Sequence, residues 1–107
     1  MDPAILRSKA ILSEIARLLE QGGENRSAQM IRQALNHDTQ EIIERFLISN
    51  ELWGGAGSIA DESLISNPIL RGSLQSLLLD LGELQLSSGK TNPRTEMWVR
   101  AFAQWRQ

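Results

Sequence analysis

Residues 67–86 read NPILRGSLQSLLLDLGELQL, and this stretch decides the fold class. Leu70, Leu74, Leu77, Leu78, Leu81 and Leu84 recur every three or four positions, which aligns them on one face of an α-helix. Leu79 and Leu86 lie off that stripe, so the helix is apolar over much of its circumference and belongs at the centre of its domain. Asn67-Pro68 is a start signal: the Asn side chain can accept from a free backbone N–H, and the proline's missing N–H costs nothing at the first helical position. Ser87-Ser88-Gly89 closes the segment. Gly72 and Gly82 each cost up to about 1 kcal/mol relative to Ala inside a helix, so either the helix is shorter than its pattern or close packing offsets them.

The same signals recur on both sides. Downstream, Asn92-Pro93 repeats the start signature, and Trp98, Ala101, Phe102 and Trp105 share one face of a C-terminal helix, with Trp105 the aromatic expected to be partly exposed. Upstream, Asp2 to Gln21 opens with Pro3 and carries Ile5, Leu12, Ile15 and Leu19, widened by Ile11 and Leu18, until Gly22-Gly23 stops it. A second helix runs from Glu24 to about Asn36 with Ala28, Ile31, Ala34 and Leu35 on its apolar face. Asp38-Thr39-Gln40-Glu41 is an acidic variant of the capping box and starts a third helix with Ile42, Ile43, Phe46 and Leu47. No segment alternates apolar and polar residues between β-type turns; Tyr is absent and Val occurs once. The expectation is one all-α domain over residues 1–107, with four or five short helices in an irregular antiparallel bundle and a Gly-rich loop between the third and fourth.

Composition excludes several functions. The chain has 107 residues, 41% hydrophobic and 22% charged, the balance of an ordinary globular domain. Without cysteine, zinc fingers, thiol catalysis and disulfide scaffolds are out. A net charge of −2 suits neither many phosphates nor an anionic membrane, and a helix-turn-helix reading would place Glu41 and Glu44 where phosphates lie. No basic n-region precedes an apolar stretch, and no run approaches eighteen apolar residues, so the expected compartment is the cytoplasm. The middle of the chain is mildly acidic and its C-terminal end mildly basic.

One segment departs from helical grammar. Leu52-Trp53-Gly54-Gly55-Ala56-Gly57-Ser58-Ile59-Ala60-Asp61-Glu62 packs three of the chain's eight glycines into four residues beside a tryptophan. Clustered glycine requires positive φ or a close approach, and the Trp53 indole is the natural object for it to fold over. Structurally, Trp53 would plug the end of the bundle and Ser58 or Asp61 would cap a short helical turn. Functionally, the segment would present Trp53, Gly54, Gly55, Gly57, Ser58, Asp61 and Glu62 to a partner, with Glu41 and Glu44 of the third helix beside them.

The run Leu-Trp-Gly-Gly-x-Gly-Ser with an acidic residue three positions after the Ser resembles a motif in small bacterial proteins classed as a domain of unknown function. The resemblance covers about a dozen residues, Leu52 to Asp61, and implies a helical bacterial cytoplasmic protein, with binding or immunity-type roles among the family's members. It supplies no catalytic residue.

Catalytic readings find little support in the residues. A phosphate-binding loop would need a Lys beside the final Ser, the dinucleotide fingerprint would need Gly where Ala60 stands, and Asp61 and Glu62 would repel an anion. His37 is the one histidine; a triad would have to join it to Ser58 and Asp61, yet no Gly-x-Ser-x-Gly exists. Adjacent Asp61 and Glu62 with one His make a poor metal set. The reading is therefore a non-enzymatic protein-binding module, immunity- or antitoxin-like, with no cofactor and no metal and with a toxin or effector as partner. The alternatives are a small enzyme or anion- or nucleotide-binding domain using Gly54–Ser58, and a homodimer.

Overall fold

The computed structural model describes residues 2–37 and 39–106. The helices are α1 (Pro3–Gln21), α2 (Asn25–His37), α3 (Gln40–Leu47), α4 (Asn50–Trp53), α5 (Ile59–Glu62), α6 (Pro68–Ser88) and α7 (Thr95–Trp105), and no strand occurs among the described residues. Five are long, as expected; α4 and α5 are single turns on either side of the glycines. The packing is antiparallel, with α6 between α1 and α7, and α1 against α2. No helix of the described residues is long and apolar enough to cross a membrane.

Local signals set most boundaries. Asn67 Oδ1 accepts from Ile69 N at 3.0 Å and Leu70 N at 3.1 Å, and Gly89 ends α6 in the left-handed conformation at φ 77°. Asp2 Oδ1 accepts from Ala4 N at 2.7 Å and starts α1. At α3 the cap is Thr39, whose Oγ1 accepts from Ile42 N at 3.3 Å; the expected cap Asp38 lies outside the described residues.

One expectation needs correction. Asn92-Pro93 does not open α7, which begins at Thr95 with no side-chain cap. Asn92 is buried, and only part of its side chain serves the turn before α7: Oδ1 accepts from Arg94 N at 2.9 Å, while Nδ2 donates to Ile48 O and Asn50 Oδ1, both at 2.9 Å. Asn92 thus ties the start of the last helix to the α3–α4 junction. Leu79, off the leucine stripe, is buried as a central helix requires, because α6 is covered on two flanks by α1 and α7.

The two glycines inside α6 have opposite explanations. A Cβ on Gly82 would overlap Val99 Cγ2 and press on the Trp53 ring, so the close packing of α6 with α7 requires glycine there. A Cβ on Gly72 would meet open space. Gly82→Ala should destabilise the fold by about 1–3 kcal/mol through overpacking. Gly72→Ala should stabilise it by up to about 1 kcal/mol through helix propensity, both read from urea unfolding midpoints.

Candidate functional site

The glycine segment folds around Trp53, which is fully buried. Ser49 Oγ accepts from Leu52 N at 3.3 Å and starts the single turn α4 that carries the indole inward. Trp53 Nε1 donates to Gln85 Oε1 at 2.9 Å, and Gln85 Nε2 in turn donates to Leu47 O at 2.7 Å and Lys90 O at 2.8 Å. Trp98 Nε1 donates to Trp53 O at 3.0 Å and Gly54 O at 3.2 Å. Two tryptophans and one glutamine therefore fasten the segment to α3, α6 and α7. Every buried side-chain polar atom of the described residues has a partner.

Two glycines of the cluster, Gly54 and Gly57, have a backbone reason. A side chain at Gly54 would overlap Asn50 O, where the chain turns back over α4. Gly57 has φ 84°, a left-handed conformation costly for other residues. At Gly55 a Cβ would stand 2.6 Å from Arg94 Nη1, so the guanidinium lies over the bare backbone. Ser58 Oγ donates to Gly54 O at 3.0 Å and accepts from Asp61 N at 3.2 Å, which caps α5 as the sequence suggests.

This geometry redistributes the candidate residues. Trp53, Gly54 and Ser58 are buried, so their side of the expected contact surface points into the core. Gly57 is exposed and Gly55, Asp61 and Glu62 are half-buried at the surface. Asp61 Oδ2 accepts from Gly57 N at 2.9 Å, so the loop's own carboxylate occupies the place where an anion would bind. Gly57 and Ser58 share an open groove of about 510 Å³ with Arg26, Gln33 and Glu51. His37 lines an adjoining groove with Arg45 and Phe46, and Ser58 Oγ is bonded to Gly54 O and Asp61 N rather than to His37.

The third helix does not present the bare acidic patch that the sequence suggests. Arg45 Nη2 lies 2.9 Å from Glu41 Oε1, and Glu44 is ion-paired with Lys90 and accepts from Gln40 Nε2 at 3.0 Å. The hydrogen bonds from Lys90 and then Gln40 hold the Glu44 carboxyl below its ordinary pKa. Glu41 and Glu44 line a depression with Ile48 and Lys90, separate from the groove at Gly57. The described residues contain no group of three or more His, Cys, Asp or Glu placed to hold a metal ion.

A second surface lies on α6, which sequence reasoning treated only as core. Two open depressions, of about 530 and 550 Å³, meet at Gly72. One is lined by Leu64, Pro68, Arg71, Gln75 and Trp105, the other by Leu18, Ile69, Ser73, Ser76 and Leu77 with Glu14 and Arg17. Ile69 is 80% exposed, Trp105 50% and Leu64 43%.

The chain matches no protein-family model, no curated protein and no solved structure.

Two measurements test this geometry. Gln85→Leu should leave Trp53 Nε1, Leu47 O and Lys90 O without their partner and cost on the order of 3 kcal/mol in urea unfolding. A loss below about 0.5 kcal/mol would show that this bond network contributes little. For Glu44, a folded-state pKa below the unfolded value means its pairing stabilises the fold above the unfolded pKa, and that contribution is lost as pH falls through the folded pKa. NMR titration should find the Glu44 pKa raised toward the ordinary carboxylate value in Lys90→Ala.

Proposed function

We propose that the protein is a non-enzymatic protein-binding module of bacterial immunity or antitoxin type, acting in the cytoplasm on a basic partner such as a toxin or effector. The observation that supports this reading is the exposure of large apolar side chains around one helix, Ile69, Trp105 and Leu64. Contiguous apolar surface rimmed by polar groups is what protein interfaces use, and Trp is favoured among their anchors. The resemblance of Leu52–Asp61 to small bacterial proteins points the same way.

In this reading the buried part of the glycine segment shapes the domain, while Gly55, Gly57, Asp61, Glu62 and the helix residues Glu41 and Glu44 stay within reach of a partner. The neutralised carboxylates of α3 contribute less long-range attraction than the sequence suggests, since each has a cation beside it. The anion-binding alternative is favoured by the Arg94 guanidinium over Gly55. Against it stands Asp61, whose carboxylate already holds the Gly57 N–H.

Affinity capture from a bacterial lysate at low and moderate salt, with a parallel thermal-shift screen of nucleotides and phosphorylated metabolites, separates the two. The expected result is one stoichiometric protein, retained roughly tenfold less well by Trp105→Ala, as for an interface anchor. A phosphorylated ligand that raises Tm, with no protein captured, would replace the module reading by the anion-site reading.

A further inference from the structure

Three surface carboxylates of this fold are paired within their own helix. Glu14 pairs with Arg17 on α1, Glu41 with Arg45 on α3 and Glu96 with Arg100 on α7, all at a spacing of three or four residues. The longest helix, α6, holds no such pair. Asp80 and Glu83 are exposed on α6, three residues apart, with no ion pair among the described residues. Positions 76, 79, 84 and 87, which could have supplied a cation on the same helix, are Ser, Leu, Leu and Ser. Like charges at this spacing repel by a few tenths of a kcal/mol, so the isolated chain gains nothing from the arrangement.

These carboxylates continue a single stripe. Ile69, Gly72, Ser73, Ser76, Asp80, Glu83 and Ser87 follow one another at helical spacing along the side of α6 that neither α1 nor α7 covers. The stripe is apolar and small over its first half and acidic over its second. Its first half is a low saddle at Gly72, flanked by the two depressions whose walls carry Ile69 and Leu77 on the α1 side and Leu64 and Trp105 on the α7 side. Three features of this stripe are unfavourable in the free monomer: an isoleucine 80% exposed, a helical glycine with open space where its side chain would be, and an uncompensated carboxylate pair.

We propose that this face of α6 is a docking surface for an amphipathic basic segment of a partner protein. The segment lays apolar side chains across the Gly72 saddle, against Ile69, Leu77 and Trp105, and sets lysines or arginines against Asp80 and Glu83. At a rise of 1.5 Å per residue the acidic pair lies about 16–21 Å along the helix from Ile69, so a helical partner carries its basic groups some eleven to fourteen residues from its apolar anchor. Charge selects this occupant over a second copy of the chain. A second copy carries the same acidic stripe and a net charge of −2, so it offers Asp80 and Glu83 less complementary charge than a basic segment does. The inference deepens the binding-module reading by naming its surface and the chemistry of its partner.

The test uses a labelled synthetic amphipathic helix of about 18 residues, with leucines on one face of its first half and lysines on the same face of its second, followed by fluorescence anisotropy. A matched peptide carries glutamates in place of the lysines. The intact protein should bind the lysine peptide more weakly as salt rises and should not bind the glutamate peptide. Asp80→Lys combined with Glu83→Lys, and separately Ile69→Ser, should each weaken binding roughly tenfold or more. Glu24→Lys combined with Glu51→Lys, an equal change of net charge elsewhere, should leave it within about twofold. Circular dichroism melts establish that each variant is folded.

Equal loss in both double variants would reduce the binding to non-specific attraction and overturn the surface. Loss in the Glu24/Glu51 variant alone would keep the binding-module reading but move the contact away from α6, overturning this inference. Failure of the wild type to bind the lysine peptide would overturn the partner chemistry while leaving the capture experiment to judge the module reading. A concentration-dependent dimer in sedimentation, abolished by Ile69→Ser, would assign the face to a second copy instead.

Discussion

The position of Trp53 is the constraint on which much of the fold depends. An indole is large, and its N–H must find an acceptor when buried. Here the acceptor is the Gln85 side chain, and that glutamine in turn satisfies two backbone carbonyls, Leu47 O and Lys90 O, where other segments end. One polar side chain on α6 thus joins the end of α3, the turn before α7 and the glycine segment. Gly82 makes the arrangement possible by leaving the space that Val99 and the Trp53 ring fill. The apolar helix and the glycine cluster, distant in sequence, form one packing unit.

That unit explains why the glycine segment reads two ways from sequence. Clustered glycine beside tryptophan is the composition of a functional loop and also of a loop wrapped around its own aromatic. The deciding facts are tertiary: Gln85 and Trp98 lie thirty or more residues away, and nothing local to Trp53 reveals which way its ring turns. The caps at Asp2, Asn67 and Ser58 are legible because a cap acts within three residues. Asn92 carries the same outward signature and is misread, because its side chain serves the α3–α4 junction more than forty residues upstream.

The electrostatic lesson is similar. A count of acidic residues places the charge of the middle segments on α3, but Arg45 and Lys90 cancel it at close range. Lys90 stands 46 residues from Glu44, so that cancellation is invisible along the chain. Two of the carboxylates without an ion pair, Asp80 and Glu83, sit on α6, in a stretch read for its leucines. Their isolation was visible in the sequence, since no Lys or Arg stands three or four residues from Asp80 or Glu83. Searching a helix for its missing cations, as well as for its apolar stripe, would have found them.

Helix α6 therefore has two faces with different demands. Its inner face is fixed by packing, to the point that Gly82 cannot accept a methyl group. Its outer face carries a glycine, an isoleucine and two carboxylates, none of which the surrounding structure requires. Natural sequences accept such local costs where another requirement overrides them, most often a binding requirement. The strongest ground for reading the outer face as a contact surface is that its unfavourable features follow one line along one helix and complement a single kind of partner.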